Sequence, residues 1–239
     1  MKVDILAIGV HPDDVELSCS GTLLKHISEG KKVGLLDLTR GELGTRGTAE
    51  TRDEEGANAS KLMGASFRKN VAMADGFFQH TPENLKLIIE VIRYCQPKII
   101  LANAISDRHP DHGRAAKLIH DACFLSGLIK IETKDENGNP QTPWRAKQVY
   151  HYIQDYYTKP DFVIDVTKFM EQKMDVISCY KTQFFNPDSK EPITPISSKD
   201  FLDFLKARAL EMGRPAGFKY AEGFVSPRTI GVDGLFDLR

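Results

Sequence analysis

The chain has 239 residues, 41% hydrophobic and 27% charged, the balance of an ordinary globular protein. Its 32 Lys and Arg against 33 Asp and Glu leave a formal net charge of −1, with no basic excess of the kind that nucleic acid or an anionic membrane would attract. Cys19, Cys95, Cys123 and Cys179 are widely spaced and form no Cys-x-x-Cys pair, which argues against a disulfide framework or thiolate zinc site and for reduced thiols in a cytoplasmic protein.

In chain order, the apolar run at 3–9, "VDILAIG", is too short and too soon broken by Asp4 to be a signal peptide or a membrane span. It reads as a buried strand, as do 32–39 ("KVGLLDLT"), 97–103 ("PKIILAN"), 148–154 ("QVYHYIQ") and 161–167 ("DFVIDVT"). Continuous apolar runs suit a parallel sheet covered on both faces. Between the strands, Leu85, Ile88, Ile89 and Ile92 repeat at helical spacing, with Thr81 as N-cap and Pro82 at the first helical position. Ala115, Leu118, Ile119 and Ala122 repeat the same spacing. The segment at 133–144 is a polar loop with a hairpin at Asn137-Gly138, and 186–198 is a Pro/Ser-rich loop between two late helices. The expectation is one domain over residues 1–239: a doubly wound, Rossmann-like, mostly parallel α/β sheet with helices on both faces.

Two motifs stand out. "GVHPDDVELS" follows the first strand and "SDRHPDHGR" follows the run at 97–103. With 7 His and 12 Pro in the chain, chance pairing gives well under one His-Pro, and here two occur, both continuing into Asp. Both fall at carboxyl ends of strands, the edge where open α/β sheets bind ligands. His11 and Asp14, three apart, share a face, and His112 arrives from the second loop. Two imidazoles and a carboxylate leave a fourth position open, the pattern of catalytic zinc, although iron(II) accepts the same set. Asp13 is then placed to take a proton from a metal-bound water. His109 is placed to donate to an oxyanion or to a leaving amine, with Asp111 holding its tautomer and raising its pKa. The competing reading is helix capping, since Asp is a common N-cap and Pro is common in such loops. The loop lacks Gly-x-Gly-x-x-Gly, which disfavours a dinucleotide site.

With "HPDDVELSCSG" and "HPDH", the sequence resembles the PIG-L/LmbE family of zinc-dependent N-acetylglucosamine deacetylases over most of its length. Within that family, "DLTRGELGTRGT", "TRDEEGANASKLMG", "CYKTQF" and "YAEGF" are similar to the deacetylases of bacillithiol biosynthesis. The resemblance implies zinc ligands His11, Asp14 and His112, base Asp13, second histidine His109 and its partner Asp111. It further implies a substrate-contacting Arg52, a Tyr180 whose hydroxyl donates to the oxyanion, and contacts from Asp75 and Arg108 to the sugar or its acidic aglycone. Tyr180 also belongs to a helical apolar face with Met170, Met174 and Ile177, and Arg52 sits among acids at a helix start. The implied substrate is N-acetylglucosaminyl malate, and the implied assembly a homo-oligomer. The alternatives are a deacetylase of chitooligosaccharide or another small N-acetylated sugar, and a non-catalytic metal- or sugar-binding domain.

Overall fold

The computed structural model describes residues 1–237. Seven strands form one sheet: β1 (Ile5–Gly9), β2 (Val33–Asp37), β3 (Phe67–Asn70), β4 (Ile99–Ala102), β5 (Gln148–Tyr152), β6 (Phe162–Asp165) and β7 (Ala221–Val225). Their order is β3-β2-β1-β4-β5-β7-β6. The first five are parallel, and β7 runs antiparallel between β5 and β6. The helices are α1 (Asp14–Ser28), α2 (Ala49–Met63), α3 (Pro82–Cys95), α4 (Pro110–Leu125), α5 (Met170–Ile177) and α6 (Lys199–Gly213). This is the expected α/β architecture.

The alternation of strand side chains divides the core in two. Leu6 and Ile8 of β1 face Ile88, Ile92, Leu118 and Ile119 of α3 and α4. Ile5 and Ala7 face the other layer, built from Val15, Cys19 and Leu23 of α1, Ala59 and Met63 of α2, Val176 and Ile177 of α5, and Leu205 of α6. All five residues of both β1 and β2 are buried, which is why both are apolar up to Asp37, the last residue of β2, whose carboxylate is paired with Arg68. The capping at Thr81 and Pro82 is as expected: the Thr81 side chain accepts from Asn84 N at 3.3 Å.

Two strands escape the hydrophobic reading. β3 ("FRKN") is an edge strand, and its polar residues protect that edge. β7 ("AEGFV") carries the buried Glu222, which breaks the apolar run. Glu222 accepts from Gly21 N at 2.9 Å and Thr22 N at 2.7 Å in α1, and from Lys173 Nζ of α5 at 2.6 Å. The hairpin expected near Gly138 is reduced to a turn held by Asp135, with a single bridge from Lys134 to Pro140. All four cysteines are free. Among the described residues, no helix is long and apolar enough to cross a membrane.

The chain crosses from β3 through α3 to β4, which pairs with the opposite side of β1. The adjacent carboxyl ends of β1 and β4 are therefore the topological switch point, where the connections diverge and leave a crevice.

Candidate active site

Both His-Pro-Asp motifs open into that crevice, in different ways. In the first, Asp13 occupies the N-cap position of α1 and Asp14 begins the helix. In the second, His109 is the N-cap of α4, with Pro110 at the first helical position and His112 in the first turn. The capping explanation fails for Asp13, whose side chain makes no cap hydrogen bond. Its Oδ2 instead accepts from Arg52 Nη2 at 3.0 Å. Its backbone sits at φ 129°, a conformation that residues with a Cβ rarely adopt and that must be held by its surroundings.

Asp14 is the hub. Oδ2 accepts from Val10 N (2.9 Å), His11 N (3.0 Å) and Asn103 Nδ2 (2.9 Å). It also lies 3.8 Å from His11 Nδ1, and Oδ1 lies 3.1 Å from His112 Nε2. The outer nitrogen of each imidazole is held by another carboxylate: His11 Nε2 by Asp75 Oδ1 at 3.0 Å, and His112 Nδ1 by Asp107 Oδ2 at 2.6 Å. Asp107 is anchored in turn, its Oδ1 accepting from Asp155 N and Tyr156 N at 2.8 Å each. Imidazoles gripped from behind by carboxylates, with the other nitrogen turned to a common centre, are the arrangement that orients histidines toward a metal. Ring nitrogens of His11, His109 and His112 converge within 4.8 Å of one another, and donor atoms of His11, Asp75 and Asp111 do likewise. The donor set fits a divalent cation bound by nitrogen and oxygen.

The electrostatics agree with the geometry. Burial works against a charged His11, but the Asp111 and Asp75 carboxylates outweigh it and raise its pKa to about 9. His112 is raised to about 10 in the same way, with Asp14 and Asp107 overcoming burial. Burial would raise Asp14, yet the two histidines hold it well below the usual carboxylate range. The cluster of acids thus calls for positive charge at its centre. Asp13 differs from its neighbour: burial pushes it up to about 7 against the pull of Arg52.

Several residues fall elsewhere than expected. Asp111 does not hold His109 by its carboxylate: Oδ2 accepts from Gly76 N (2.9 Å) and Oδ1 from Arg114 Nη1 (2.8 Å), while the Asp111 backbone amide donates to His109 Nδ1 (3.3 Å). The pKa of His109 is lowered rather than raised, by burial and by the two neighbouring histidines. Asp75 grips His11 and Leu43 N, so its carboxylate is engaged before any sugar arrives. Arg52 shares the inward stripe of α2 with Gly56, Ala59 and Met63, and is only 5% exposed. It donates to Asp13, Pro12 O and Gly41 O. Gly41, at φ 65°, must lack a side chain, since a Cβ there would stand 2.1 Å from Arg52 Nη1. Arg108 reaches the cavity but pairs with Asp155 at 2.5 Å. Tyr180 is fully buried beneath α2, outside the cavity, and its hydroxyl has no hydrogen-bond partner among the described residues. Its apolar helical spacing with Met170 and Ile177 was the better guide. Asp107, Asn103 and Gln154 were missed. The signal available for Asn103 and Gln154 was a polar residue at the carboxyl end of an apolar strand.

The cavity over this cluster measures about 340 Å³. Its walls come from the loop after β2 (Leu43 to Arg46), the Pro-rich loop (Thr194 to Ile196) and α6.

The family described as PIG-L, GlcNAc-PI de-N-acetylase, matches residues 6–123, the span that holds both motifs. An uncharacterized deacetylase of Escherichia coli, YaiS, is 32% identical over 64% of this chain and 83% of its own. The chain belongs to the PIG-L family. The diacetylchitobiose deacetylase of Thermococcus kodakarensis is 29% identical over 92% of this chain and 81% of its own. A conserved protein of Thermus thermophilus, solved by crystallography, superposes with a TM-score of 0.84 at 34% identity, covering 97% of this chain and 98% of that one. Similarity over nearly the full chain extends beyond the motif-bearing half to β5, β7 and α6.

Proposed function

We propose that this chain is a metal-dependent amidohydrolase that removes acetate from an N-acetylglucosaminyl conjugate. The observation that carries the reading is the division of labour between adjacent carboxylates. Asp14 is turned to His11 and His112, while Asp13 is turned away from them, strained, and held at the cavity by Arg52. A binding module needs the first arrangement only.

His11, Asp14 and His112 would hold the metal, with His109 beside them. A bound zinc or iron(II) supplies a Lewis acid for the acetamide carbonyl and lowers the pKa of water toward about 7. Asp13 accepts the proton of the water that attacks the carbonyl carbon. Arg52 fixes the carboxylate that does so. His109, its ring 4.8 Å from that of His11 and 5.2 Å from that of His112, faces the cavity without a carboxylate partner and donates to the oxyanion. The C–N bond then breaks, acetate leaves, and the amine nitrogen takes a proton from Asp13 or His109.

The likeness to deacetylases of bacillithiol biosynthesis supports N-acetylglucosaminyl malate as the substrate. The Thermococcus relative supports a neutral disaccharide, diacetylchitobiose, as the second reading. Acetate release by zinc-reconstituted protein from N-acetylglucosamine, its malate glycoside and diacetylchitobiose decides between them. A preference for the malate glycoside is expected. Release from none of the three overturns the deacetylase reading.

A further inference from the structure

Four arginines line the cavity, and three are engaged. Arg46 donates to Ser189 Oγ at 2.6 Å and pairs with Glu191 at 3.4 Å. Arg52 holds Asp13 and Arg108 holds Asp155. The fourth, Arg208, makes no hydrogen bond or ion pair among the described residues. Its position is unusual for an unpaired cation. Phe201, Leu205, Arg208 and Met212 recur at helical spacing and form the inward stripe of α6, where Leu205 and Met212 are buried. Phe201 and Arg208 both line the cavity wall, and the guanidinium lies 5.2 Å from the centre of the Phe204 ring.

The three carboxylates close enough to act on Arg208 electrostatically are Asp155, Asp107 and Glu222. Each is engaged elsewhere: Asp155 by Arg108, Asp107 by His112 and two backbone amides, Glu222 by Lys173 and two amides of α1. Five N–H donors therefore remain on a half-buried group facing the space where a substrate must lie. Withdrawing such a group from water without a partner is costly, and a ligand that closes the cavity over it must supply one.

We infer that Arg208 receives a carboxylate carried on the aglycone of the N-acetylglucosaminyl substrate. The inference rests on the deacetylase reading. The guanidinium fork matches the two coplanar oxygens of a carboxylate. Burial lowers the pKa of Arg208, as expected of a cation still lacking its anion.

The experiment compares kcat/KM for N-acetylglucosaminyl malate with that for its dimethyl ester, which has the same skeleton without the charges. Diacetylchitobiose serves as a third substrate, and the proteins are wild type, Arg208→Met and Arg208→Lys. Wild type should prefer the diacid. The diacid-to-ester ratio should fall about 10- to 150-fold in Arg208→Met, the range of one charge-assisted hydrogen-bonded contact, mostly through KM. Arg208→Lys should recover part of it. If Arg208→Met does not fold, the wild-type ratio should instead shrink with added salt, which screens charge recognition. An unchanged ratio in the folded variant, or a wild-type enzyme indifferent to esterification, overturns the inference. Activity on diacetylchitobiose alone also overturns it while leaving the deacetylase reading standing. Inactivity on all three removes the deacetylase reading itself.

Discussion

Asp13 and Asp14 are neighbours in sequence with opposite environments. Asp14 receives four N–H donors and faces two imidazoles, while Asp13 has one guanidinium and a strained backbone. Asp13→Asn should therefore retain metal and lose about 10²–10⁴ in kcat, the range of general acid–base catalysis. Metal content and turnover measured on the same sample separate this outcome from an exchange of roles, in which the metal would be lost. Asp107, five residues before His112, acts by gripping that ring from behind. Asp107→Asn should weaken zinc affinity by about 10- to 100-fold in competition with a chromogenic chelator. Unaltered affinity would reduce Asp107 to a loop anchor. Tyr180 makes the reverse case. Its buried hydroxyl has no partner among the described residues, so Tyr180→Phe should leave kcat/KM within about twofold and stability equal or slightly greater. A large loss of turnover would return the tyrosine to the chemistry.

At the scale of elements, the site depends on how two helix starts are aimed. α1 delivers Asp14 at its first residue and α4 delivers His112 in its first turn, so small rotations of either helix separate the donors. The sheet and the neighbouring α5 hold α1 in place. Glu222 of β7 binds two amides in the middle of α1 and the ammonium of Lys173 in α5, all out of water. Glu222→Ala removes the common acceptor and leaves a buried ammonium unpaired. It should cost about 3–5 kcal/mol in urea unfolding, the cost of breaking a buried pair from one side. A change under about 1 kcal/mol, the scale of an exposed pair, would mean that water relieves Lys173.

For the whole molecule, the crevice exists because the chain reverses its direction of travel across the sheet between β1 and β4. Carboxylates and imidazoles drawn from the loops after three strands meet there, and a cation should tie those loops together. Zinc at about a hundred times its Kd should stabilise the protein by about 2.7 kcal/mol. For a chain of this size that corresponds to a rise in Tm of about 5–10 °C, at 2–4 °C per kcal/mol. Calorimetry on chelated and zinc-loaded protein measures it. His112→Ala should abolish the rise while the metal-free protein still unfolds cooperatively. A rise that persists in the variant would move the metal away from His112.

By itself, the sequence determined what is local. Strands covered on both faces must be largely apolar, so β1, β2 and β4 are legible, and a Thr-Pro cap announces α3. The polar edge strand β3, and β7 with Glu222 near its start, carry no such run and were hidden. In the site, His11, Asp14 and His112 could be brought together because each follows closely on a legible strand. Tertiary structure alone decided the partners. Asp107 and Asp75 reach the histidines through loops whose paths no spacing encodes. Arg52 turns from a surface cation into the holder of Asp13 because α2 packs that face inward. Arg208 lies some two hundred residues from the first motif, and only the packing of α6 against the cavity shows that its charge lines that cavity with no ion pair among the described residues. Side-chain periodicity reports whether a residue is covered; which group covers it depends on contacts between segments remote in the chain.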